Sequence, residues 1–383
     1  LSLNFPREWE TAADAGEGAL AVRSANRGAG AFDAAALALA FERLGGSLGP
    51  SVSSDVLSLG ATVLSERLTD AAALIGLVVR EARFADGDVM AERSVLIEEA
   101  REAADDMFRF PFQLAFRQAF GDRGYGVPVG GTVESLERLT AVQVRDKWRA
   151  ITSGRATLIA VSDAEPERVA ELLAGSFDGL VSGARMARGT DGTLATWQAT
   201  GAPVVHQRDK KQSAFAMLFP GPSRRDPTFH AAEVWAGVAS GLGGRLFESL
   251  REKRSLAYTV LGTAWGRRLG GALGAYIATS PGREEEARAE MLKELKVFAE
   301  QAVTADELER ATRYLAGQTE IARMTAGAVA AEIAEAWLAG TGLEEMDAPW
   351  EKYQHVTAEE VRAVAASGFD VGRRAEGVVR GTV

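Results

Sequence analysis

The spacing of apolar residues predicts alternating strands and helices along the first half of the chain. Residues 56–64 (VLSLGATVL) have the apolar run of a strand, and residues 68–84 have the periodicity of an amphipathic helix. A second helix is predicted over 89–104, with apolar positions on one side and acids on the other. A further helix opens at Thr140, and the buried strand 156–162 (ATLIAVS) closes this half.

The second half repeats the first at a constant offset. The dipeptides that recur 217 residues later are Glu92-Arg93 as Glu309-Arg310, Thr140-Ala141 as Thr357-Ala358, and Val144-Arg145 as Val361-Arg362. The closing strand has a counterpart at 375–381 (AEGVVRG), shifted by about two further residues, as loops permit. Matches in register on elements of one type predict a duplicated α+β domain.

The boundary between the halves is predicted in a polar, glycine-rich segment. Residues 182–201 (SGARMARGTDGTLATWQATG) have no sustained apolar periodicity, which is typical of a linker. The predicted domains are therefore 1–183 and 201–383, joined by a linker at 184–200. A chain of 383 residues is also too long for one ordinary core.

Composition excludes several classes of function. The net charge of −10 argues against nucleic acid as a partner, because neutralising phosphates needs a basic face, and it favours basic peptides instead. No apolar run reaches about eighteen residues, so no membrane span is expected. The chain has no cysteine, which excludes disulfides, thiolate nucleophiles and cysteine-ligated zinc.

Two further patterns carry no predicted chemistry. The three histidines, His206, His230 and His355, have no i, i+4 pair and no G-x-S-x-G elbow to accompany them, so we interpret them as isolated structural residues. The run 240–244 (SGLGG) precedes a helix but matches no phosphate-binding pattern, because Leu246 stands where a third glycine belongs. These glycines are expected to form a tight turn and allow close helix packing.

Two interpretations of Arg254 and Tyr258 remain open from the residues alone. Apolar spacing predicts a helix ending near Arg254, followed by a strand over 256–261. In the structural interpretation, Arg254 stabilises the helix C-terminus, and Tyr258 is a half-buried strand residue with a hydrogen-bonded hydroxyl. In the functional interpretation, the same two side chains bind a ligand.

Residues 243–260 (GGRLFESLREKRSLAYTV) resemble, nearly residue by residue, the second-domain signature of the pitrilysin (insulinase-like) zinc peptidases. In that family the Arg and Tyr hold the substrate backbone and carbonyl near the zinc, so the resemblance implies Arg254 and Tyr258 as catalytic-site residues. It also implies an α+β fold of two homologous domains, each an antiparallel-rich sheet packed with helices. Other segments that carry the resemblance are 44–46 (LGG), 92–99 (ERSVLIEE), 126–131 (GVPVGG) and 205–213 (VHQRDKKQS).

One departure from the family's pattern, in its zinc-binding motif, determines which chemistry is expected of this chain. Peptide-cleaving members carry an inverted zinc helix, H-x-x-E-H, and alignment on residues 28–29 and 44–46 places Ala19, Val22 and Arg23 at its His, Glu and His. The family's third ligand matches Glu99, which alone cannot form a tetrahedral zinc site. We therefore expect no cofactor or metal in this chain, an exposed or ion-paired Glu99, and no peptide hydrolysis by the chain alone.

Inactive chains of this family are commonly paired with active ones, so the resemblance implies a heterodimeric zinc peptidase. A homologous partner subunit would hold the zinc, and this chain would contribute Arg254 and Tyr258 to the binding of a peptide or unfolded polypeptide. The alternative is a structural or peptide-holding protein of the same fold, like the core subunits of respiratory complexes. A periplasmic location is expected, with the cytoplasm as the alternative. The short first strand, 1–5, leads us to expect a trimmed N-terminus or a partner covering the sheet edge.

Overall fold

A computed structural model describes residues 1–177 and 195–382, apart from positions 347 and 349. The strands are β1 (Ser2–Pro6), β2 (Gly28–Ala29), β3 (Phe32–Asp33), β4 (Ser47–Val52), β5 (Val56–Thr62), β6 (Thr157–Ile159), β7 (Pro203–Gln207), β8 (Ser213–Gly221), β9 (Thr259–Arg267), β10 (Gly270–Thr279) and β11 (Ala375–Arg380). The helices are α1 (Glu17–Ala25), α2 (Ala34–Glu42), α3 (Leu68–Glu81), α4 (Asp86–Asp105), α5 (Arg109–Phe120), α6 (Val133–Arg138), α7 (Ala141–Ser153), α8 (Pro166–Ala174), α9 (Phe229–Ala239), α10 (Glu284–Glu300), α11 (Ala305–Ala322), α12 (Ala326–Ala339), α13 (Glu351–Gln354) and α14 (Ala358–Gly368).

The described chain forms two compact units whose segments alternate along the sequence. The first contains residues 1–102, 128–177 and 322–338, and the second contains residues 103–127, 195–321 and 339–382. Helix α5 thus belongs to the second unit, and most of α12 belongs to the first. The contiguous domains predicted at 1–183 and 201–383 miss this exchange, because apolar periodicity does not identify the sheet on which a helix packs. The predicted linker, 184–200, falls largely on residues 178–194, outside the described residues, and its bounds stay a prediction.

The first unit is built on an antiparallel sheet with the strand order β4-β5-β1-β6. Leu3 and Phe5 of β1 lie opposite Leu59 and Leu57 of β5, so alternation places all four on one buried face. Helices α1 and α3 contribute their apolar sides to the same core. Burial of this shared apolar surface is the main term that favours the unit's folding.

The second unit has a five-stranded sheet in the order β7-β11-β8-β10-β9. Among the described strands of this sheet, β7 and β11 form a parallel pair and the other neighbours are antiparallel. One face packs Phe215 of β8 with Trp235 of α9 and Phe298 of α10. On α5, Phe112 lies edge-on to Trp265 with ring centroids 5.1 Å apart.

The duplication predicted from the sequence is confirmed. Helices α5 and α12 begin 217 residues apart, and so do α7 and α14. Thr140 and Thr357 open the latter two helices with the same capping box, in which the threonine side chain accepts the backbone N–H three residues later. The repeated Thr-Ala dipeptide therefore marks a repeated helix start, and the predicted α+β fold of two homologous, antiparallel-rich domains is confirmed.

The predicted elements differ from the observed ones mainly at their ends. The helix predicted over 68–84 ends at Glu81, and the strand predicted over 156–162 forms ladder bonds only at β6. The strand predicted over 256–261 begins at Thr259, so Tyr258 precedes it. No helix among the described residues is both long and apolar enough to cross a bilayer.

Candidate functional site

Helix α1 places apolar side chains at the two first positions of the missing zinc motif. Ala19 and Val22 are buried in the core of the first unit. Their spacing from Arg23 puts all three residues on adjoining parts of one helical face. Where the family motif has an imidazole and a carboxylate base, this chain has two buried apolar side chains. The residues present therefore do not fit a zinc ion.

Arg23 forms a network of ion pairs at the third motif position. Its Nε lies 2.9 Å from Oε2 of Glu92, and its Nη1 donates to both carboxylate oxygens of Glu99 at 2.8 and 2.9 Å. Arg27 also donates to Glu92, which is 4% exposed. Burial lowers the pKa of Arg23, but hydrogen bonds to Glu99 and Glu92 outweigh this effect and hold the pKa above its usual range. The prediction that Glu99 is an exposed or ion-paired helix residue is confirmed.

The guanidinium of Arg23 supplies the positive charge that a metal would otherwise bring to Glu99. A planar fork can satisfy two carboxylates with directional hydrogen bonds, and charge-assisted bonds of this kind are strong. Across the part of the chain that the structure describes, no group of three or more histidine, aspartate or glutamate side chains could hold a metal ion.

The Arg/Tyr segment begins with an unusual helix. Residues Phe247–Glu252 are π-helical, and the amide of Leu256 donates to the carbonyl of Leu250 at 2.8 Å. Ser255 has φ = 50°, a left-handed conformation that is uncommon outside glycine. The sequence predicts a helix here but not its π form, which is frequent at functional sites. Strained backbone of this kind also clusters at such sites.

Arg254 is engaged largely within its own chain. Its Nε lies 3.0 Å from Oε2 of Glu290, and Nη1 lies 3.7 Å from Glu294. Nη1 also donates to the carbonyl and hydroxyl of Ser249, at 2.8 and 2.6 Å. The carbonyl contact agrees with the structural interpretation, in which Arg254 stabilises a helix end. Its Nη2 makes no hydrogen bond to any residue within the described ranges, so this nitrogen retains donors for a ligand.

Tyr258 is 63% exposed and lies where the turn enters β9. Its amide donates to the carbonyl of Ala278 in β10 at 3.0 Å, and its carbonyl accepts from Nη1 of Arg251 at 3.0 Å. Its hydroxyl has no hydrogen-bond partner among the residues that the structure describes. The structural interpretation of Tyr258, a half-buried strand residue with a bonded hydroxyl, does not hold, because the side chain precedes the strand instead of alternating within it.

Several residues around this turn are absent from the sequence-based site. Arg251, Arg283, Glu290 and Glu294 all contact residues 254–258 or their side chains. A signal was available for Glu290 and Glu294, whose spacing of four places both on one side of α10. No sequence pattern connects Arg283 with the turn, since this contact depends on the pairing of β9 and β10.

The histidines occupy separate elements. His206 of β7 packs edge-on against the ring of Phe110, and Nδ1 of His230 lies 2.9 Å from Oε2 of Glu233 on α9. His355 follows α13 and is exposed. These surroundings agree with the interpretation of the three as structural residues.

Comparisons with known proteins connect the chain with one family. The family profile described as Peptidase M16 inactive domain matches residues 140–315. An uncharacterized zinc protease of Streptomyces coelicolor is 27% identical over 331 residues, which cover 85% of this chain and 72% of that protein.

Solved structures agree in fold over nearly the whole chain. A peptidase M16 inactive domain from Pseudomonas fluorescens has a TM-score of 0.84 at 18% identity, covering 100% of this chain and 93% of that one. A chain of complex III2 from Candida albicans has a TM-score of 0.78 at 14% identity, with 99% and 89% covered. Profile, relatives and fold together confirm the resemblance predicted from the sequence, which is to inactive-type members of the pitrilysin (peptidase M16) family.

Proposed function

We propose that this chain is the non-catalytic subunit of a heterodimeric zinc peptidase and that it helps to bind the substrate. The observation that carries the proposal is Tyr258, an exposed tyrosine with an uncommitted hydroxyl beside a strained turn. Tyrosine combines an apolar ring with a polar hydroxyl, which suits it to contact a ligand or partner at the surface. The proposed ligand is a peptide or an unfolded polypeptide.

The proposed division of roles between this chain and its partner subunit follows from the residues that α1 lacks. With Ala19 and Val22 in the core and Arg23 paired to Glu99, helix α1 offers neither the two imidazoles nor the general base of the family's zinc motif. The partner subunit would supply zinc, which activates water and polarises the scissile carbonyl. A periplasmic location, expected from the sequence, stays part of this proposal.

Tyr258 and Arg254 would act on the substrate as hydrogen-bond donors. The hydroxyl of Tyr258 would donate to the carbonyl oxygen as negative charge develops on it, a contribution that is typically worth a few kcal/mol. Arg254 would use Nη2 to hold a neighbouring main-chain carbonyl, while Glu290 and Ser249 fix the rest of its guanidinium. Pre-formed contacts reduce the entropy lost when Arg254 binds a ligand.

A structural or peptide-holding role without proteolysis is the second candidate. Nε and Nη1 of Arg254 contact Glu290 and Ser249 of the same chain, as the nitrogens of a purely structural arginine would. These contacts favour the second candidate. The fold is also found in a chain of complex III2 from Candida albicans. The two candidates differ in what Tyr258 does, since a scaffold has no use for its free hydroxyl.

Reconstitution tests the proposal. This chain is mixed with a similarly sized H-x-x-E-H protein encoded beside it, and the mixture is analysed by size-exclusion chromatography and by cleavage of a diverse peptide library. We expect one heteromeric species and cleavage that neither protein shows alone. Cleavage by this chain alone, or a mixture that stays inactive across the library, would overturn the proposal and favour the structural role.

A further inference from the structure

The turn before Tyr258 is contacted by Arg283, an arginine from a later segment of the chain. Arg283 ends the short 3₁₀ segment Pro281–Arg283 after β10. Its Nη1 donates to the carbonyl of Ser255 at 2.9 Å, and its Nη2 donates to the carbonyl of Arg254 at 3.4 Å. The residue with φ = 50° is therefore held by a side chain from a distant part of the sequence.

The guanidinium of Arg283 is itself fixed. Glu286 accepts from Nε at 2.8 Å and from Nη2 at 2.9 Å, which is the two-point geometry that a carboxylate and a guanidinium share. The Glu286 bond also raises the pKa of Arg283 above its usual range, so the arginine stays charged. All three of its nitrogens have partners within the chain, unlike those of Arg254, whose Nη2 has none among the described residues.

Both ends of this arrangement are anchored to β10. The amide of Tyr258 is bonded to the carbonyl of Ala278, and Arg283 follows the same strand by four residues. The contact with Ser255 therefore fixes the turn relative to the strand beside which Tyr258 enters the sheet. The amides of Ser255 and Leu256 also donate to the carbonyls of Arg251 and Leu250, at 2.9 and 2.8 Å, so Arg283 adds a side-chain restraint to a turn that L-residues rarely adopt.

We propose that Arg283 is a positioning residue, which holds the Ser255 turn so that the Tyr258 hydroxyl is presented to substrate. This inference rests on the proposed function. Arg283 does not need to touch substrate, because its donors are already used within the chain. It acts through the backbone of the turn, and its effect on turnover therefore requires the hydroxyl of Tyr258.

A purely structural role for Arg283 is the competing explanation. Arg283 stands at the N-cap of α10, and Glu286 lies in the first turn, where a negative charge stabilises a helix. Loss of such a contact would lower stability but would not depend on the hydroxyl of Tyr258. Coupling between the two residues separates the explanations, because independent effects multiply and shared effects do not.

The test is a double-mutant cycle in the reconstituted peptidase, with kcat and KM measured for Arg283→Ala, Tyr258→Phe and the double variant. We expect Arg283→Ala to lower kcat about tenfold with a smaller change in KM, and to cost less than about twofold more in the Tyr258→Phe background. Arg283→Lys should recover part of the loss, because an ammonium can reach Ser255 but cannot reproduce the fork. If Arg283→Ala does not fold, the same cycle is run with Arg283→Lys.

Arg362 provides a matched control in the same unit. It also pairs with a glutamate three residues earlier, Glu359, and its Nη1 lies 3.4 Å from a main-chain carbonyl, that of Ala299. Arg362→Ala should leave kcat unchanged. Wild-type kcat in Arg283→Ala, or a full multiplicative loss in the double variant, would overturn the positioning role while leaving the proposed function intact. Wild-type kinetics in Tyr258→Phe would instead remove Tyr258 from the site and overturn both.

Discussion

Arginine–glutamate pairs occur in two regions of the molecule, and the two regions differ in whether a hydrogen-bond donor is left for a ligand. At the position of α1 that aligns with the end of the family's zinc motif, the donors of Arg23 are taken up by Glu92 and Glu99, and its helical neighbours are core residues. At the turn before β9, arginines bind backbone carbonyls and leave Tyr258 exposed. The first region leaves no donor of Arg23 evident for a ligand, whereas the second has a donor that no described residue uses.

The comparison shows how the carboxylates beside α1 are satisfied without a metal ion. A carboxylate left behind by a missing metal is destabilising when it is partly buried and unpaired. In this chain, arginine takes the metal's place as the counter-charge, so the carboxylates stay satisfied. Conversely, the segment with a left-handed Ser255 and an exposed Tyr258 is where the proposed ligand would bind.

Removing Arg23 gives the largest predicted effect. Arg23→Ala leaves Glu99 unpaired and takes one of two arginines from the buried Glu92. Breaking a buried ion pair costs several kcal/mol, but Arg27 remains and Arg23 is 25% exposed, so we expect a loss of about 2 kcal/mol in the free energy of unfolding. Urea denaturation measures it, with the exposed Arg101→Ala as control. An unchanged midpoint would contradict the view that Arg23 replaces the metal's charge.

The Arg245–Glu307 pair is a reference for this comparison, because it has no proposed role in ligand binding or catalysis. Burial raises the pKa of Glu307, but the Arg245 hydrogen bond outweighs this, giving a folded pKa of about 2. The unfolded value is about 4.3, so the pair's stabilisation is present above pH 4.3 and is lost as the pH falls toward 2.

Glu307→Gln should therefore lower stability by about 1 kcal/mol at pH 7 and flatten the acid dependence between pH 4 and 2. Glutamine can still accept from the Thr304 amide, so the helix start is retained. Thermal melts from pH 2 to 7 provide the measurement, and Glu309→Gln on the same helix is the control. Equal acid sensitivity in both variants would show that the pair contributes little.

Arg254→Lys is expected to have the smallest effect. An ammonium cannot contact Glu290 and Ser249 together while offering a further planar donor, so kcat/KM of the reconstituted pair should fall about threefold. Stability should change by less than about 0.5 kcal/mol, because either cation suits a helix end. Unchanged kcat/KM would assign Arg254 to the structural role alone. Arg362→Lys is the matched control.

The sequence predicts best what local contacts determine. Thr140 and Thr357 open helices because their capping boxes need only four residues. The sequence predicts an exposed or ion-paired Glu99, but its partner, Arg23, is set by a tertiary contact. The exchange of α5 and α12 was not predictable from periodicity, which leaves open the sheet that each helix covers. The exposure of Tyr258 and the support from Arg283 depend on where β9 begins and on its pairing with β10, both of which are set by tertiary contacts.

The most direct test of the account is kcat/KM of the reconstituted pair carrying Tyr258→Phe. This change keeps the ring and removes one hydroxyl, so folding, partner affinity and the partner's zinc content should match the wild type. If the hydroxyl donates to developing charge on the substrate, kcat/KM should fall about tenfold or more. Wild-type kcat/KM with the same folding, affinity and zinc content would contradict the claim that this chain contributes to catalysis through Tyr258.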